Sequence, residues 1–282
     1  MVKGKLYIVS TPIGNLEDVT YRAVRILKEV DLILAEDTRI TSRLCDRYQI
    51  TTPLLSFHAR NTHMRLFGVL ERLLSGENLA LVSDAGTPGI SDPGTPLVRK
   101  AIEEGIEVIP LPGASSVLTA LAGSGFDGNS FVFEGFLPRK TGARKKILQR
   151  MVAYERTTLF FESPHRLATT LADLVDVLGE EQPVLVAREL TKKFESWYRG
   201  TAQELAARFA GDSSIKGEIV IVVPALHREI SSEQQLENLL INAMANGEGI
   251  REASRAVAQQ TGISASVLYR MALVLDEKGS FI

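Results

Sequence analysis

Two loops rich in glycine and proline carry the first chemical signal in the sequence. Residues 82–94 hold three glycines, two prolines and two aspartates directly after a short apolar run. Residues 110–116 come at the end of the next apolar run and are likewise rich in proline, glycine and small residues. Small residues let backbone amides and carbonyls approach a ligand more closely than bulky side chains allow. Each loop alone fits an ordinary turn about as well, but two of them at successive strand ends favour a ligand site.

The common nucleotide and metal signatures are absent from the sequence. The first turn, residues 10–15, is neither a G-x-G-x-x-G fingerprint nor a Walker A loop, which disfavours nicotinamide-dependent hydride transfer and phosphoryl transfer. No H-E-x-x-H occurs and the single cysteine, Cys45, has no second cysteine to pair with, so no metal site is predicted. One cysteine without a disulfide also fits a reducing, cytoplasmic location.

Short apolar segments and helical patterns alternate around these loops, which is typical of a parallel α/β sheet. In the first half the predicted strands are residues 6–10, 31–35, 79–83 and 107–111, and the predicted helices are residues 21–29 and 96–104, with another helix beginning near Ser116. The pattern restarts near residues 123–129, and further strands are predicted at 131–134, 158–161, 184–188 and 218–223, with a helix at 166–178.

The end of the sequence changes character, because only helical patterns follow Ser231. We predict helices at residues 251–260 and 265–275, joined by a short turn that contains Gly262. This spacing resembles a helix-turn-helix, although a plain helical hairpin explains it about as well. The predicted organisation is therefore an α/β domain at residues 1–122, a second α/β domain at 123–228 and a helical tail at 229–282.

Charge is unevenly distributed along the chain. The formal net charge of the 282 residues is −2, so any affinity for nucleic acid must come from local patches. Residues 138–150 contain six basic residues and no acidic one: Arg139, Lys140, Arg144, Lys145, Lys146 and Arg150. A solvated helix face would account for such a run, but six charges of one sign favour a phosphate-binding, RNA-binding surface.

Several segments in a fixed order resemble the tetrapyrrole methylase superfamily. They are residues 10–20, 35–39, 83–94 and 111–116. Within this superfamily the chain is similar to the branch that methylates the ribose 2′-hydroxyl of a cytidine in 16S ribosomal RNA. Matches to that branch are residues 133–139, 162–166, 188–193 and 216–222. The likeness covers essentially the whole chain.

The resemblance implies two α/β domains with S-adenosylmethionine in the cleft between them, plus a small C-terminal helical segment. It places the cofactor contacts at Pro12, Ile13, Gly86, Thr87, Ile90, Ala114, Ser115, Phe161, Ala187 and Ile219. It also implies a homodimer whose partner is the small ribosomal subunit. Many members of the superfamily have an aspartate where this chain has Thr87. This difference fits the RNA branch better than the corrin branch.

Methyl transfer from a sulfonium requires alignment of the reacting atoms and no second cofactor. A ribose hydroxyl is only weakly acidic, so a nearby base or cation would assist the reaction. The candidates, all in motif loops or at predicted strand ends, are Glu36, Asp37, His58, Asp84, His165, Glu189 and Lys192. Structural roles compete with catalytic ones, since Asp37 could simply pair with Arg39. No single base is assigned from the sequence.

Two other functions compete with an RNA ribose methyltransferase. A corrin or porphyrin methylase is compatible with the superfamily, but a small tetrapyrrole requires neither the basic cluster nor the helical tail. A non-enzymatic regulator could use the helix-turn-helix to bind nucleic acid. In that case the loops rich in glycine and proline would have no purpose.

Overall fold

The computed structural model describes residues 2–58, 62–91, 94–211, 215–225, 233–261 and 263–277. The chain divides into two units, Met1–Ala225 and Leu226–Ile282. The described residues of the first unit form two five-stranded sheets. Along the chain, the predicted domain boundary at residues 122–123 falls after the last strand of the first sheet and before the first strand of the second. Among the described residues, no helix is long and apolar enough to cross a lipid bilayer.

The first sheet is entirely parallel, as its strand and helix alternation predicts. Its strands follow the order β3-β2-β4-β1-β5, and β1 pairs with both β4 and β5. The elements are β1 (Lys5–Val9), α1 (Tyr21–Glu29), β2 (Leu32–Ala35), α2 (Thr38–Tyr48), β3 (Leu54–Ser56), α3 (Thr62–Leu74), β4 (Leu79–Val82), α4 (Thr95–Glu103), β5 (Glu107–Leu111) and α5 (Ser116–Ala122). The sequence predictions omitted α2, β3 and α3.

Burial on both faces explains why these strands are almost continuously apolar. Leu6, Leu34 and Leu81 belong to the core on one face, whereas Ile33 and Ala80 belong to the core on the other. A parallel sheet covered by helices on both sides needs apolar residues at successive positions rather than at alternate ones. This packing fixes the carboxyl ends of β1, β4 and β5 at one edge of the sheet.

The second sheet is mixed, unlike the first. The strand order is β6-β7-β10-β8-β9, in which only the β6/β7 pair is parallel. A short connection returns the chain antiparallel from β8 to β9, a strand that sequence patterns did not predict. The elements are β6 (Phe131–Phe136), α6 (Thr141–Val152), β7 (Thr157–Glu162), α7 (Leu167–Leu178), β8 (Pro183–Arg188), β9 (Ser196–Thr201), α8 (Ala202–Phe209) and β10 (Ile219–Val223).

Arg144 is the exception within the basic cluster, because its side chain is only 2% exposed. Its guanidinium Nε donates to Asp173 Oδ2 at 2.6 Å, and Nη1 donates to the Arg139 carbonyl oxygen at 3.2 Å. A buried and fully engaged guanidinium cannot bind an RNA phosphate. The prediction of Arg144 as an RNA contact is therefore wrong, and its role is to join α6 to α7.

In residues 233–261 and 263–277, the described parts of the second unit, there are three helices: α9 (Glu233–Ala245), α10 (Ile250–Thr261) and α11 (Ala265–Glu277). Leu240, Val257, Leu268 and Ala272 form the centre of its apolar core. The predicted helices at 251–260 and 265–275 correspond to α10 and α11, whereas α9 was not predicted individually.

Replacing Arg144 by glutamine should lower the free energy of unfolding by about 3–5 kcal/mol, because the buried Asp173 carboxylate would lose its charged partner. Urea denaturation measures this loss. The matched control is Lys146→Gln, which removes an exposed charge two residues away and should change stability by less than about 0.5 kcal/mol. Equal effects of the two substitutions would contradict the structural role of Arg144.

Candidate active site

Reciprocal backbone hydrogen bonds join the loops that follow β1 and β4. The Thr11 amide donates to the Gly86 carbonyl at 2.9 Å, and the Gly86 amide donates to the Thr11 carbonyl at 3.0 Å. The Thr11 hydroxyl also donates to the Ser83 carbonyl oxygen at 2.9 Å. Gly86 has a φ of +84°, a backbone conformation that side chains with a branched Cβ strongly disfavour. Glycine at position 86 thus lets the two loops meet.

A second connection adds the loop after β5. The hydroxyls of Ser10 and Thr87 lie 2.9 Å apart, and the Thr87 hydroxyl is 3.2 Å from the Ala114 carbonyl oxygen that accepts its hydrogen bond. Ser115 caps α5 by accepting a hydrogen bond from the Leu118 amide, as predicted for the small residues of this loop. Thr87 therefore connects the loop after β4 to the loops after β1 and β5.

These loops form one wall of a cleft of about 420 Å³, and the ends of β6, β7 and β10 supply the opposite wall. Seven of the ten predicted cofactor contacts line it: Ile13, Gly86, Thr87, Ile90, Ser115, Phe161 and Ile219. Three others do not line it. Pro12 is buried next to Ile13 in the sequence, and the Ala187 side chain is fully buried in a hydrophobic core. The carbonyl oxygen of Ala114 accepts a hydrogen bond from the Thr87 hydroxyl.

Sequence reasoning missed several residues of the cleft. They include Ser91, Val117, Phe136, Ser163, Pro164, Leu190, Gly217 and Glu218. Most of them belong to segments whose resemblance to the family was noted, but nothing in their residue types marks them individually. Phe136 packs against Phe161 with ring centroids 5.2 Å apart, which gives this wall an aromatic surface.

The buried carboxylate of Glu162 holds the loop after β7 in place. Its Oε1 accepts from the Ser163 amide at 2.6 Å and from Arg166 Nε at 2.7 Å, while Oε2 accepts from the Thr170 hydroxyl at 2.6 Å. Charge pairing and three hydrogen bonds compensate for the burial of this carboxylate. The arrangement fixes Ser163 and the following Pro164 at the cleft.

Asp84 belongs to the first wall, whereas Asp37 contacts Asp84 without lining the cleft, and the two carboxyls differ in their surroundings. Burial raises the pKa of the Asp84 carboxyl above its ordinary value, although the Asp37 amide donates to Asp84 Oδ1 at 2.8 Å and acts in the opposite sense. Hydrogen bonds from Arg39 lower the pKa of the Asp37 carboxyl to about 2. Asp37 also caps α2 by accepting from the Arg39 amide. Its carboxylate is therefore the weaker base of the two.

Glu189, Lys192 and Glu218 form an ion-pair cluster beside the cleft. Lys192 Nζ lies 2.9 Å from Glu189 Oε1 and 3.1 Å from Glu218 Oε2. Burial alone would lower the pKa of Lys192, but the hydrogen bonds to both carboxylates outweigh it and raise the pKa. Burial of Glu189 alone would raise its pKa, but the hydrogen bonds from Lys192 and the Glu218 amide, together with the charges of Lys192 and Arg188, outweigh burial and lower it. Lys192 is therefore a cation at neutral pH, and it packs so closely on Gly14 that a Cβ there would overlap it.

The remaining three catalytic candidates do not line the main cleft. Glu36 borders a separate, smaller cavity behind the loop after β4. His58 is half-buried just after β3, and His165 is exposed on the short 3-10 helix Pro164–Arg166. Of the seven candidates, the structure brings only Asp84 into the lining of the main cleft within the described part of the chain.

Comparison with known sequences shows the relationship that this architecture suggests. The family model described as tetrapyrrole (corrin/porphyrin) methylases matches residues 5–206. The chain belongs to this family.

Several relatives of this chain carry one name. The ribosomal RNA small subunit methyltransferase I of Synechocystis sp. is 48% identical over 279 residues, which cover 98% of this chain and all of that protein. The protein of the same name from Bacillus subtilis is 42% identical and covers 89% of both chains. That from Haemophilus influenzae is 41% identical over 98% of both chains.

Solved structures of more distant proteins share the fold of this chain. The methyltransferase CobJ matches with a TM-score of 0.62 and 19% identity over 79% of this chain and 95% of its own. The uroporphyrin-III C-methyl transferase from Thermus thermophilus, solved with S-adenosyl homocysteine, matches with a TM-score of 0.56 and 18% identity over 78% of this chain and 97% of its own. At these identities the likeness concerns the fold alone.

Four basic side chains of the methylase remain on the surface of the predicted cluster: Arg139, Lys140, Lys146 and Arg150. None of them forms an ion pair with an acidic side chain in the described ranges. Lys145 differs, because its Nζ lies 2.8 Å from Asp176 Oδ2. The surface of α6 and the preceding loop therefore presents four cations close in sequence to Phe136, which lines the cleft.

Proposed function

We propose that this methylase transfers a methyl group from S-adenosylmethionine to the 16S RNA of the small ribosomal subunit. The observation that carries the proposal is the identity of 41–48% over most or all of the chain with proteins named for that activity. The corrin and porphyrin methylases share the fold at 18–19% identity. The chain is therefore far nearer in sequence to the RNA enzymes.

The residues of the cleft fit S-adenosylmethionine. A volume of about 420 Å³ suits a ligand of this size. The absent Cβ of Gly86 leaves the loop backbone accessible, and the apolar side chains of Ile13, Ile90 and Phe161 can hold the adenosine portion. When bound, the cofactor supplies an activated methyl group, so the protein has to bind, orient and exclude water.

The proposed acceptor is the 2′-hydroxyl of a cytidine ribose, and Asp84 is the group that we assign to receive its proton. Asp84 lines the cleft, and Asp37 fixes its Oδ1 atom through the backbone amide. A carboxylate with a raised pKa is a stronger base than an ordinary aspartate. The Lys192 cation lies beside the same cleft and can stabilise negative charge that develops on the oxygen.

The proposal also includes the setting in which the enzyme works. The four exposed cations around α6 are assigned to RNA phosphates, and the assembled subunit, in which the cytidine is held in one shape, is expected to be a better substrate than free RNA. A ribosomal substrate also implies that the enzyme acts in the cytoplasm.

The resemblance further implies a homodimer, and light scattering that detects only monomer at micromolar concentration would contradict it.

The two rival functions make different use of the cleft. A porphyrinogen substrate would require acceptance of a flat tetrapyrrole and no dependence on the α6 cations. A regulator that binds nucleic acid through a helix-turn-helix would require no cofactor in the cleft at all. Seven of the ten predicted cofactor contacts line that cleft, which supports an enzyme.

Gly86→Val should reduce cofactor affinity at least a hundredfold, because a β-branched residue disfavours the φ of +84° and would displace the loop that meets Thr11. Isothermal titration calorimetry measures the affinity. Gly68→Val is a suitable control, since nothing lies within 4 Å of a Cβ at that position. Binding to Gly86→Val with wild-type affinity would show that this loop does not hold the cofactor.

Incubation with S-adenosylmethionine labelled in its methyl group should label 16S RNA in small subunits, more slowly label free RNA, and leave a porphyrinogen unlabelled. Alkali should fail to cleave the RNA after the modified cytidine, because cleavage requires a free 2′-hydroxyl. Digestion to nucleosides followed by mass spectrometry would identify the product. Label on a base or on the porphyrinogen would overturn the proposed function.

Replacing Arg139, Lys140, Lys146 and Arg150 by glutamine should weaken RNA binding while cofactor affinity stays unchanged. For a single-stranded site each lost phosphate contact lowers the slope of log affinity against log salt by about 0.7. Four lost contacts therefore predict a decrease of nearly three units in filter-binding titrations. An unchanged slope would show that these cations form only a solvated helix face.

A further inference from the structure

The helical unit contains a groove in which basic side chains are concentrated. Arg251 and Arg255 of α10 and Arg270 of α11 line it together with Ser266 and Tyr269, around a volume of about 520 Å³. These arginines are the whole set of lysine and arginine residues in the described parts of this unit, 233–261 and 263–277. The acidic residues of those same parts do not line the groove.

The packing of the two helices turns this basic face outward. Arg251 and Arg255 are one helical turn apart, so they lie on the same side of α10. The other side of that helix carries Ala253 and Val257, which are buried, the latter against α11. Because the apolar side of α10 packs into the core of the unit, the arginines on its opposite side are left at the surface, where they line the groove.

The three guanidinium groups are exposed, and they form no ion pair with the acidic side chains in the part of the unit that the structure describes. Like charges one turn apart on a helix repel each other and reduce its stability. In the Arg144–Asp173 pair, by contrast, a carboxylate compensates the charge of the guanidinium. Three uncompensated guanidinium groups around one groove indicate an anionic ligand from outside the chain.

The chemistry of the groove fits a phosphodiester chain better than a single small anion. Guanidinium groups bind phosphate oxygens through paired hydrogen bonds, and three of them spread over two helices match successive phosphates. The Tyr269 ring offers a surface on which an unpaired base can stack, and the Ser266 hydroxyl can donate to a phosphate or a sugar oxygen.

We propose that this groove binds the phosphate backbone of the RNA substrate in a single-stranded or looped region. It would act as a docking surface in addition to the basic surface around α6. The inference rests on the proposed function for the choice of RNA. Two docking surfaces on one chain would raise the effective concentration of the substrate at the cleft without altering the cofactor site. Duplex DNA is the alternative ligand, because α10 and α11 have the spacing of a helix-turn-helix.

The test uses the full-length chain with Arg251, Arg255 and Arg270 all replaced by glutamine. Its matched control carries Arg22→Gln, Arg43→Gln and Arg99→Gln, which removes the same charge from exposed positions far from both basic surfaces in the sequence. Binding of transcribed small-subunit RNA is measured as a function of salt, with duplex DNA as competitor. Thermal melting and cofactor affinity are measured for both variants; neither variant should melt at a lower temperature than the wild type, and both should keep its cofactor affinity.

The groove variant should bind RNA at least tenfold more weakly at low salt, and its salt slope should fall by about two units, at about 0.7 per contact. The control should keep the wild-type slope. Equal slopes for the two variants would overturn the groove as a phosphate site, and stronger competition by duplex DNA would overturn RNA as its ligand. If the slope falls but wild-type enzyme labels no ribosomal RNA, the groove stands as a nucleic-acid site and the proposed function fails.

Discussion

The structure of the site depends on the reciprocal hydrogen bonds between Thr11 and Gly86. They hold together two loops that come from neighbouring strands of a parallel sheet, and Thr87 extends the connection to the loop after β5. Glycine at position 86 permits the required backbone conformation. Because backbone groups and small side chains make these contacts, the space in front of the loops stays open and becomes one wall of the cleft.

The ionisable groups around this cleft have pKa values that their surroundings shift in different directions. Asp37 forms an ion pair with Arg39 and helps to fix its loop. Lys192 forms ion pairs with two carboxylates and supplies a positive charge beside the cleft. Asp84 combines partial burial with a place in the lining, and its pKa is raised rather than lowered. Such divergence of neighbouring acid groups is how proteins prepare one carboxylate to accept a proton while another stays ionised.

Hydrophobic pattern was sufficient to predict β1, β4, β5 and β10, because each is a short, mostly apolar segment followed within four residues by glycine or proline. It failed for β3 and β9, which are at most half-buried and lack such runs. The predicted cofactor contacts came from the family resemblance, and seven of the ten line the cleft. Arg144 could not be distinguished from its basic neighbours, because its burial depends on Asp173, 29 positions away in the sequence.

The most direct test of the account is the pH dependence of single-turnover methyl transfer to small subunits by the wild type and Asp84→Asn. Since burial raises the pKa of Asp84, the wild-type rate should fall as pH decreases through a pKa above 3.8, the ordinary aspartate value. The variant should be slower by about 10²–10⁴-fold, should lose that acid limb and should keep cofactor affinity. A variant with wild-type rate and pH profile would contradict the assignment of Asp84 as the proton acceptor.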